Sequence, residues 1–154
     1  MNIVDSNKSS SLEQIQAEQV AFTIVEEKLG ISLEKNKIIY LCDNSYTYIQ
    51  PDFYSDVERV IGEIFVHIGK PKKAQNNKIS NDILKMLLLE EKTNKKFRKI
   101  IVVCDQQEYT HLRGMSVLAE CIRQFGIELM YVELDEDTRQ SILSAQKRQV
   151  MVNG

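Results

Sequence analysis

The chain has 154 residues, a length that suits one compact domain with a single core. Hydrophobic residues make up 43% and charged residues 27%, the balance of an ordinary globular protein, and a formal net charge of −2 excludes coating of nucleic acid by bulk positive charge. A local basic face beside an acidic site remains compatible with that total.

The three cysteines, Cys42, Cys104 and Cys121, sit in apolar runs without CxxC or His/Cys ligand spacing. They read as small buried hydrophobes in a reducing compartment. The first eleven residues are polar and lack the apolar stretch of a signal peptide. No apolar run approaches the roughly 20 residues needed to span a bilayer. The expectation is a cytoplasmic protein with no membrane partner.

Residues 1–11 are expected to be a flexible N-terminal tail, with Ser9, Ser10 and Ser11 placed to cap the first helix. Leu12, Ile15, Val20, Ile24 and Leu29 form its apolar stripe, and Gly30 is its stop signal. After the link 31–36, residues 37–42 read as a strand, residues 43–45 as a turn and residues 46–50 as a second strand. Pro51 cannot donate to a ladder and ends that strand. A short loop over 53–58 leads into a long apolar strand, residues 59–68, which suits a sheet centre, and residues 69–73 break it. Ile79, Ile83, Met86, Leu87 and Glu90 then recur at helical spacing over 74–91. A buried strand over 99–104, one helix over roughly 107–125 stopped by Gly126, a strand over 127–134 and a polar last helix from Asp135 towards Val150 complete the chain.

The order α-β-β-β-α-β-α-β-α predicts an α/β fold: a mixed central sheet flanked by helices on both faces, with an extra C-terminal helix. Gln50-Pro51-Asp52-Phe53 follows the second predicted strand. Gly62-Glu63-Ile64 lies inside the third, with Glu63 eleven positions after Asp52. A carboxylate in a strand otherwise made of Val, Ile and Phe is costly unless paired or bound to a metal. The next helix opens with Ala74-Gln75-Asn76-Asn77-Lys78.

With this element order, those residues resemble the PD-(D/E)xK, or restriction-endonuclease-like, nuclease superfamily, as a bacterial-type member with a variant lysine position. The resemblance covers about residues 12–134 and implies an α-β-β-β-α-β core within one nuclease-like domain, residues 12–150. It implies hydrolysis of phosphodiester bonds in DNA or RNA, with Mg²⁺ (Mn²⁺ as an alternative) held by Asp52 and Glu63. Two carboxylates suit that cation, because Mg²⁺ takes oxygen ligands and keeps several waters.

The family's strand acid is followed two residues later by a lysine, on the same strand face. Here Phe65 occupies that position. Lys78, one turn into the following helix, is the candidate for a shifted catalytic lysine, and Gln75 shares its helix face as a further catalytic contact. His67 lies on the face of Glu63 and Phe65 and is a third catalytic candidate. Lys70, Lys72 and Lys73 form a candidate nucleic-acid-binding loop. Glu18 and Glu26 on the first helix are weaker candidates for extra ligands. Asp82 and Glu90 on the second, eight residues apart, read as solvated. The basic run Lys92, Lys95, Lys96, Arg98 and Lys99 reads as decoration of a surface turn.

The chain has no GxGxxG and no GxxxxGK[ST], so nucleotide-cofactor folds lack their phosphate loop. A doubly wound reading centred on Asp105 conflicts with the early hairpin. Ser45 and Ser116 lack nucleophile-elbow glycines. Two expectations stand: a Mg²⁺-dependent nuclease working through Asp52, Glu63 and Lys78, or a catalytically inactive nuclease-fold protein that binds nucleic acid or a protein partner. Under either, the last helix, with Arg139, Lys147 and Arg148, is a candidate surface for a homodimer or partner.

Overall fold

The computed structural model describes residues 3–44 and 46–153, with side chains described within 12–151. Ser45 of the predicted turn, the side chains of Ser9–Ser11 and the first two residues of the expected tail fall outside that description. The first helix, α1, spans Ile3–Leu29, so helical backbone starts well before the position that its serines mark as a cap. No proline or glycine interrupts residues 3–29, and a helix once nucleated adds residues at little cost. Among the described residues no helix is long and apolar enough to cross a membrane.

Among the described residues seven strands follow in two sheets. β1 (Glu34–Lys35), β4 (Phe53–Ser55), β5 (Val60–Phe65), β6 (Arg98–Val103) and β7 (Ile127–Tyr131) form a five-stranded sheet in that spatial order. β1, β4 and β5 pair antiparallel, whereas β5, β6 and β7 pair parallel. The parallel pairs require crossovers: α2 (Lys73–Thr93) joins β5 to β6, while α3 (Gln106–Leu112) and α4 (Val117–Gln124) join β6 to β7. α5 (Glu136–Asn153) closes the chain. The mixed α/β sheet expected from the element order is therefore present.

Three predicted elements differ. The predicted hairpin exists, as β2 (Ile39–Tyr40) paired with β3 (Tyr48–Ile49), but it forms a separate two-stranded sheet. The antiparallel part of the main sheet comes instead from β1 and β4, in stretches whose sequence reads as a link and a loop. Strands of two or three residues are too short to show an alternating pattern. The helix expected over 107–125 is two helices. Gly114 lies in the break, Ser116 caps α4 by accepting from the Ala119 N–H at 3.1 Å, and Asp105 caps α3 by accepting from Gln107 at 2.9 Å.

The strands alternate between two cores. Phe53, Val60, Ile64, Ile100 and Val102 face Ala17, Ala21 and Val25 of α1 and Ile142 of α5. Tyr54, Ile61, Phe65, Ile101 and Val103 face Ile79, Ile83 and Met86 of α2, Leu112 of α3 and Ile122 of α4. The β2–β3 hairpin seats Leu41 and Ile49 on this second core, leaving Tyr40 and Tyr48 exposed with their rings edge to face. Cys104 is buried in the first core, and the three cysteines are free thiols.

Lys99 does not decorate a surface turn. It is buried, and its Nζ donates to Glu90 Oε2 at 2.9 Å, while the same oxygen accepts the Phe97 N–H at 2.8 Å. The pair staples the end of α2 to the start of β6. Removing one partner strands a buried charge, so Lys99→Met is expected to cost about 3–5 kcal/mol. The double variant Lys99→Met/Glu90→Leu is expected to recover most of that loss. Urea unfolding of the two single variants and the double variant measures the difference.

The β4–β5 ladder depends on a glycine. Phe53 stands opposite Gly62, and a Cβ at that glycine would lie 1.9 Å from the Phe53 ring. The fully buried ring thus lies directly over the Gly62 backbone. Gly62→Ala is expected to overpack this contact and cost about 1–3 kcal/mol. The loss should appear as a lower urea midpoint with an unchanged slope.

Candidate active site

The same ladder positions the acidic pair. Phe53 pairs with Gly62 and Tyr54 with Ile61, so the register carried on sets Asp52 opposite Glu63 and Pro51 opposite Ile64. Proline has no N–H and β4 starts at Phe53, so the ladder stops there. The Asp52 carboxylate takes over its role: Oδ2 accepts the Ile64 N–H at 2.7 Å. Asp52 thus stands at the start of β4, whereas the sequence placed it at the exit of the predicted hairpin. One of its two oxygens ends the strand pairing, and the group turns towards the face that carries Glu63.

Glu63 lies on β5 between Ile61 and Phe65, on the side covered by α2. It is half-buried. Desolvation, followed by the charges of Asp52 and Asp82, pushes its pKa up to about 10, and the Asp52 backbone N–H opposes the rise only weakly.

Two further carboxylates border the pair. Asp82 of α2 is buried. Its Oδ1 lies 3.6 Å from the Lys85 ammonium, and its Oδ2 is buried with no hydrogen-bond partner among the described residues. Burial raises its pKa, Lys85 and Lys78 oppose that, and Asp52 adds to it. Glu18 of α1 accepts from Gln14 at 3.2 Å. Its pKa is raised by desolvation, and Asp52, Lys78 and Lys35 act on it electrostatically. Glu26 is occupied elsewhere, accepting the Leu33 N–H at 2.9 Å.

Lys78 is the cation that acts on both of these flanking carboxylates. It is exposed, its Nζ lies 5.6 Å from the centre of the Phe65 ring, and its charge acts on both Glu18 and Asp82. An ammonium therefore sits over the side chain that fills the expected lysine position. Gln14, Phe65, His67, Gln75, Lys78 and Gln146 line a cleft of about 150 Å³. Gln75 Oε1 is buried there without a hydrogen-bond partner among the described residues.

His67 shares the cleft but faces its own loop. It sits 3.2 Å from the Lys70 carbonyl through Nε2, its pKa is lowered by burial, and its charged neighbours are Lys72 and Asp105. It lies beyond the end of β5, where the chain turns its ring to the loop. The loop is held by Gln146 of α5, whose amide bonds both the N–H and the C=O of Ile68 at 2.9 Å, and by Asp105, which accepts the Gly69 N–H at 3.0 Å. Lys70 and Lys72 are exposed on it and Lys73 on the first turn of α2, and Lys72 lines the neighbouring cleft with His67 and Gln75. Arg148, a candidate contact on the last helix, pairs with Glu13 of α1 within the chain.

The donor set fits a hard divalent cation. Asp52 and Glu63 offer only oxygens from adjacent strands, and Asp82 carries a buried acceptor without a donor. Among the described residues no three His, Cys, Asp or Glu side chains close into a ready-made cage. Mg²⁺ does not require one, because it keeps several waters and takes one or two carboxylates together with phosphate oxygens. Comparison with protein-family models, curated proteins and solved structures returns no match.

The crowding has a measurable consequence in chelator. Folded Glu63 keeps its proton far above the ordinary carboxylate value, whereas the unfolded chain loses it there. The unfolded state then binds fewer protons, so this group's contribution to stability is full at low pH and falls as pH rises towards the folded value. Glu63→Gln removes that slope. In EDTA its melting temperature should gain on the wild type steadily between about pH 5 and pH 9. A constant difference across that range would refute the assignment.

Proposed function

We propose that the chain is a metal-dependent nuclease with a restriction-endonuclease-like core, hydrolysing phosphodiester bonds of DNA or RNA at Asp52 and Glu63. The observation that carries this reading is the cross-strand apposition of the two carboxylates where β4 begins, with the Lys78 ammonium over Phe65 beside them. The element order supports it as well. α1, β1, β4, β5, α2 and β6 make an α-β-β-β-α-β sequence in which the β2–β3 hairpin is an insertion.

Asp52 and Glu63 would hold Mg²⁺ or Mn²⁺, which when bound offsets charge on the phosphate and acidifies water. The chain's own residues do the rest. Lys78 offsets negative charge that grows on the phosphate as the water oxygen bonds to phosphorus and the bond to the departing strand breaks. Phe65 holds that ammonium by its ring face, and Glu18 and Asp82 keep it at the acidic rim. Gln75, with an unpartnered oxygen in the cleft, is suited to orient a water or a nucleotide group. Lys70, Lys72 and Lys73 attract the phosphate backbone electrostatically.

Plasmid, single-stranded DNA and RNA incubated with Mg²⁺ or Mn²⁺ test the proposal. Asp52→Asn and Glu63→Gln are each expected to abolish cleavage. Lys78→Ala should lower kcat by about 10²–10³-fold, the range for loss of one charge-stabilising donor. The triple Ala variant of Lys70, Lys72 and Lys73 should weaken binding and flatten its salt dependence by up to about 0.9 for each phosphate that is no longer neutralised. Absence of cleavage on every substrate, with binding intact in Asp52→Asn and Glu63→Gln, would favour the inactive nucleic-acid-binding reading, which draws on Phe65 at the lysine position.

A further inference from the structure

We propose that Asp82 is a positioning residue of the cation site, accepting hydrogen bonds from the hydration shell of the ion held by Asp52 and Glu63; this rests on the metal-site reading of that pair. The inference starts from helix geometry. Asp82 lies one turn beyond Lys78 and sits among Ile79, Ile83 and Met86, the residues by which α2 covers Ile61 and Phe65. Glu63 lies between Ile61 and Phe65 on the covered face, so Asp82 and Glu63 approach each other from opposite sides of one interface.

A carboxylate on the buried stripe of a helix is costly unless something donates to it. Lys85 answers for one oxygen only, from an exposed position 3.6 Å away. Oδ2 is buried with no donor among the described residues; on the sheet side Asp52 is itself an acceptor, and the proton that Glu63 keeps is shared with the Asp52 carboxylate. Lys78, the other cation bearing on Asp82, is drawn towards Phe65 and Glu18. What the buried oxygen lacks is a donor between α2 and β5. A hydrated divalent cation on Asp52 and Glu63 supplies such donors, and outer partners of this kind commonly contribute about 10–100-fold to metal affinity.

Titration calorimetry of the full chain with Mn²⁺, and separately with Mg²⁺, near neutral pH tests this. Asp82→Asn, nearly the same shape, should bind about 10–100-fold more weakly, and its melting temperature in EDTA should be no lower than that of the wild type. Lys85→Met removes the exposed competitor for Asp82 and should tighten Mn²⁺ binding, while Lys92→Met, also exposed and on the same helix, should leave it unchanged. Lys85→Met keeps the test open should Asp82→Asn fail to fold. Wild-type affinity in Asp82→Asn, or no difference between Lys85→Met and Lys92→Met, would overturn the proposal. If Asp52→Asn and Glu63→Gln abolish binding while Asp82→Asn retains it, only the role of Asp82 falls. If the wild type takes up neither ion, the metal-site reading falls and this inference with it.

Discussion

The antiparallel ladder between β4 and β5 is only three residues long, and the acidic site depends on it. The far end of the Phe53 ring occupies the place a Cβ on Gly62 would take, a contact that suits the register in which the two stand opposite each other. The register in turn sets Asp52 opposite Glu63. A slip of one residue would turn one of the carboxylates to the α1 face of the sheet, since strand side chains alternate. Pro51 and the Asp52 carboxylate end the ladder together, the first by lacking an N–H and the second by accepting the donor of Ile64. The same aspartate therefore terminates a strand and faces its acidic neighbour.

Electrostatically the region is out of balance. Asp52 acts on Glu18 of α1, Glu63 of β5 and Asp82 of α2, while among the described residues Lys78 alone bears on both Glu18 and Asp82. The contrast with the far end of α2 is instructive. There Glu90 and Lys99 are equally buried but satisfied, with the pair closed at 2.9 Å and the Phe97 N–H donating to the same oxygen. Charges that serve structure in this fold have their partners. Around Glu63 the carboxylates crowd together and one buried oxygen, Asp82 Oδ2, has no donor among the described residues; such imbalance concentrates where a protein handles charged ligands.

Phe65 and Lys78 meet from two different elements. The strand offers a ring face instead of an ammonium, and the helix above it delivers the ammonium to that face. The loop after β5, pinned by Gln146 and Asp105, carries Lys70 and Lys72, with Lys73 opening α2 behind it, and Lys72 lines the neighbouring cleft. Cation, acid pair and basic loop thus belong to three consecutive elements of the chain, β4–β5, the loop and α2.

Local chemistry determined much by itself. The apolar runs of β5 and β6, the periodicity of α2 and the Gly30 and Gly126 stops mark their elements in the sequence, because burial and helical spacing leave patterns over six residues or more. Asp52 and Glu63 stand out there as polar residues beside Pro51 and within an apolar strand. Other features only the tertiary structure decided. β1 and β4 are too short to carry a pattern and become strands by pairing with a neighbour. Lys99 looks like one more surface lysine until Glu90 folds over it. Asp82 reads as a solvated helical acid until α2 lands on β5, although its place between Ile79 and Ile83 was a visible signal. His67 shares a strand face with Glu63 by residue count, but β5 ends at Phe65 and the chain turns it to Lys70. The physical reason is common to all four: pattern along a chain reports which face is buried, and only packing reports what that face meets.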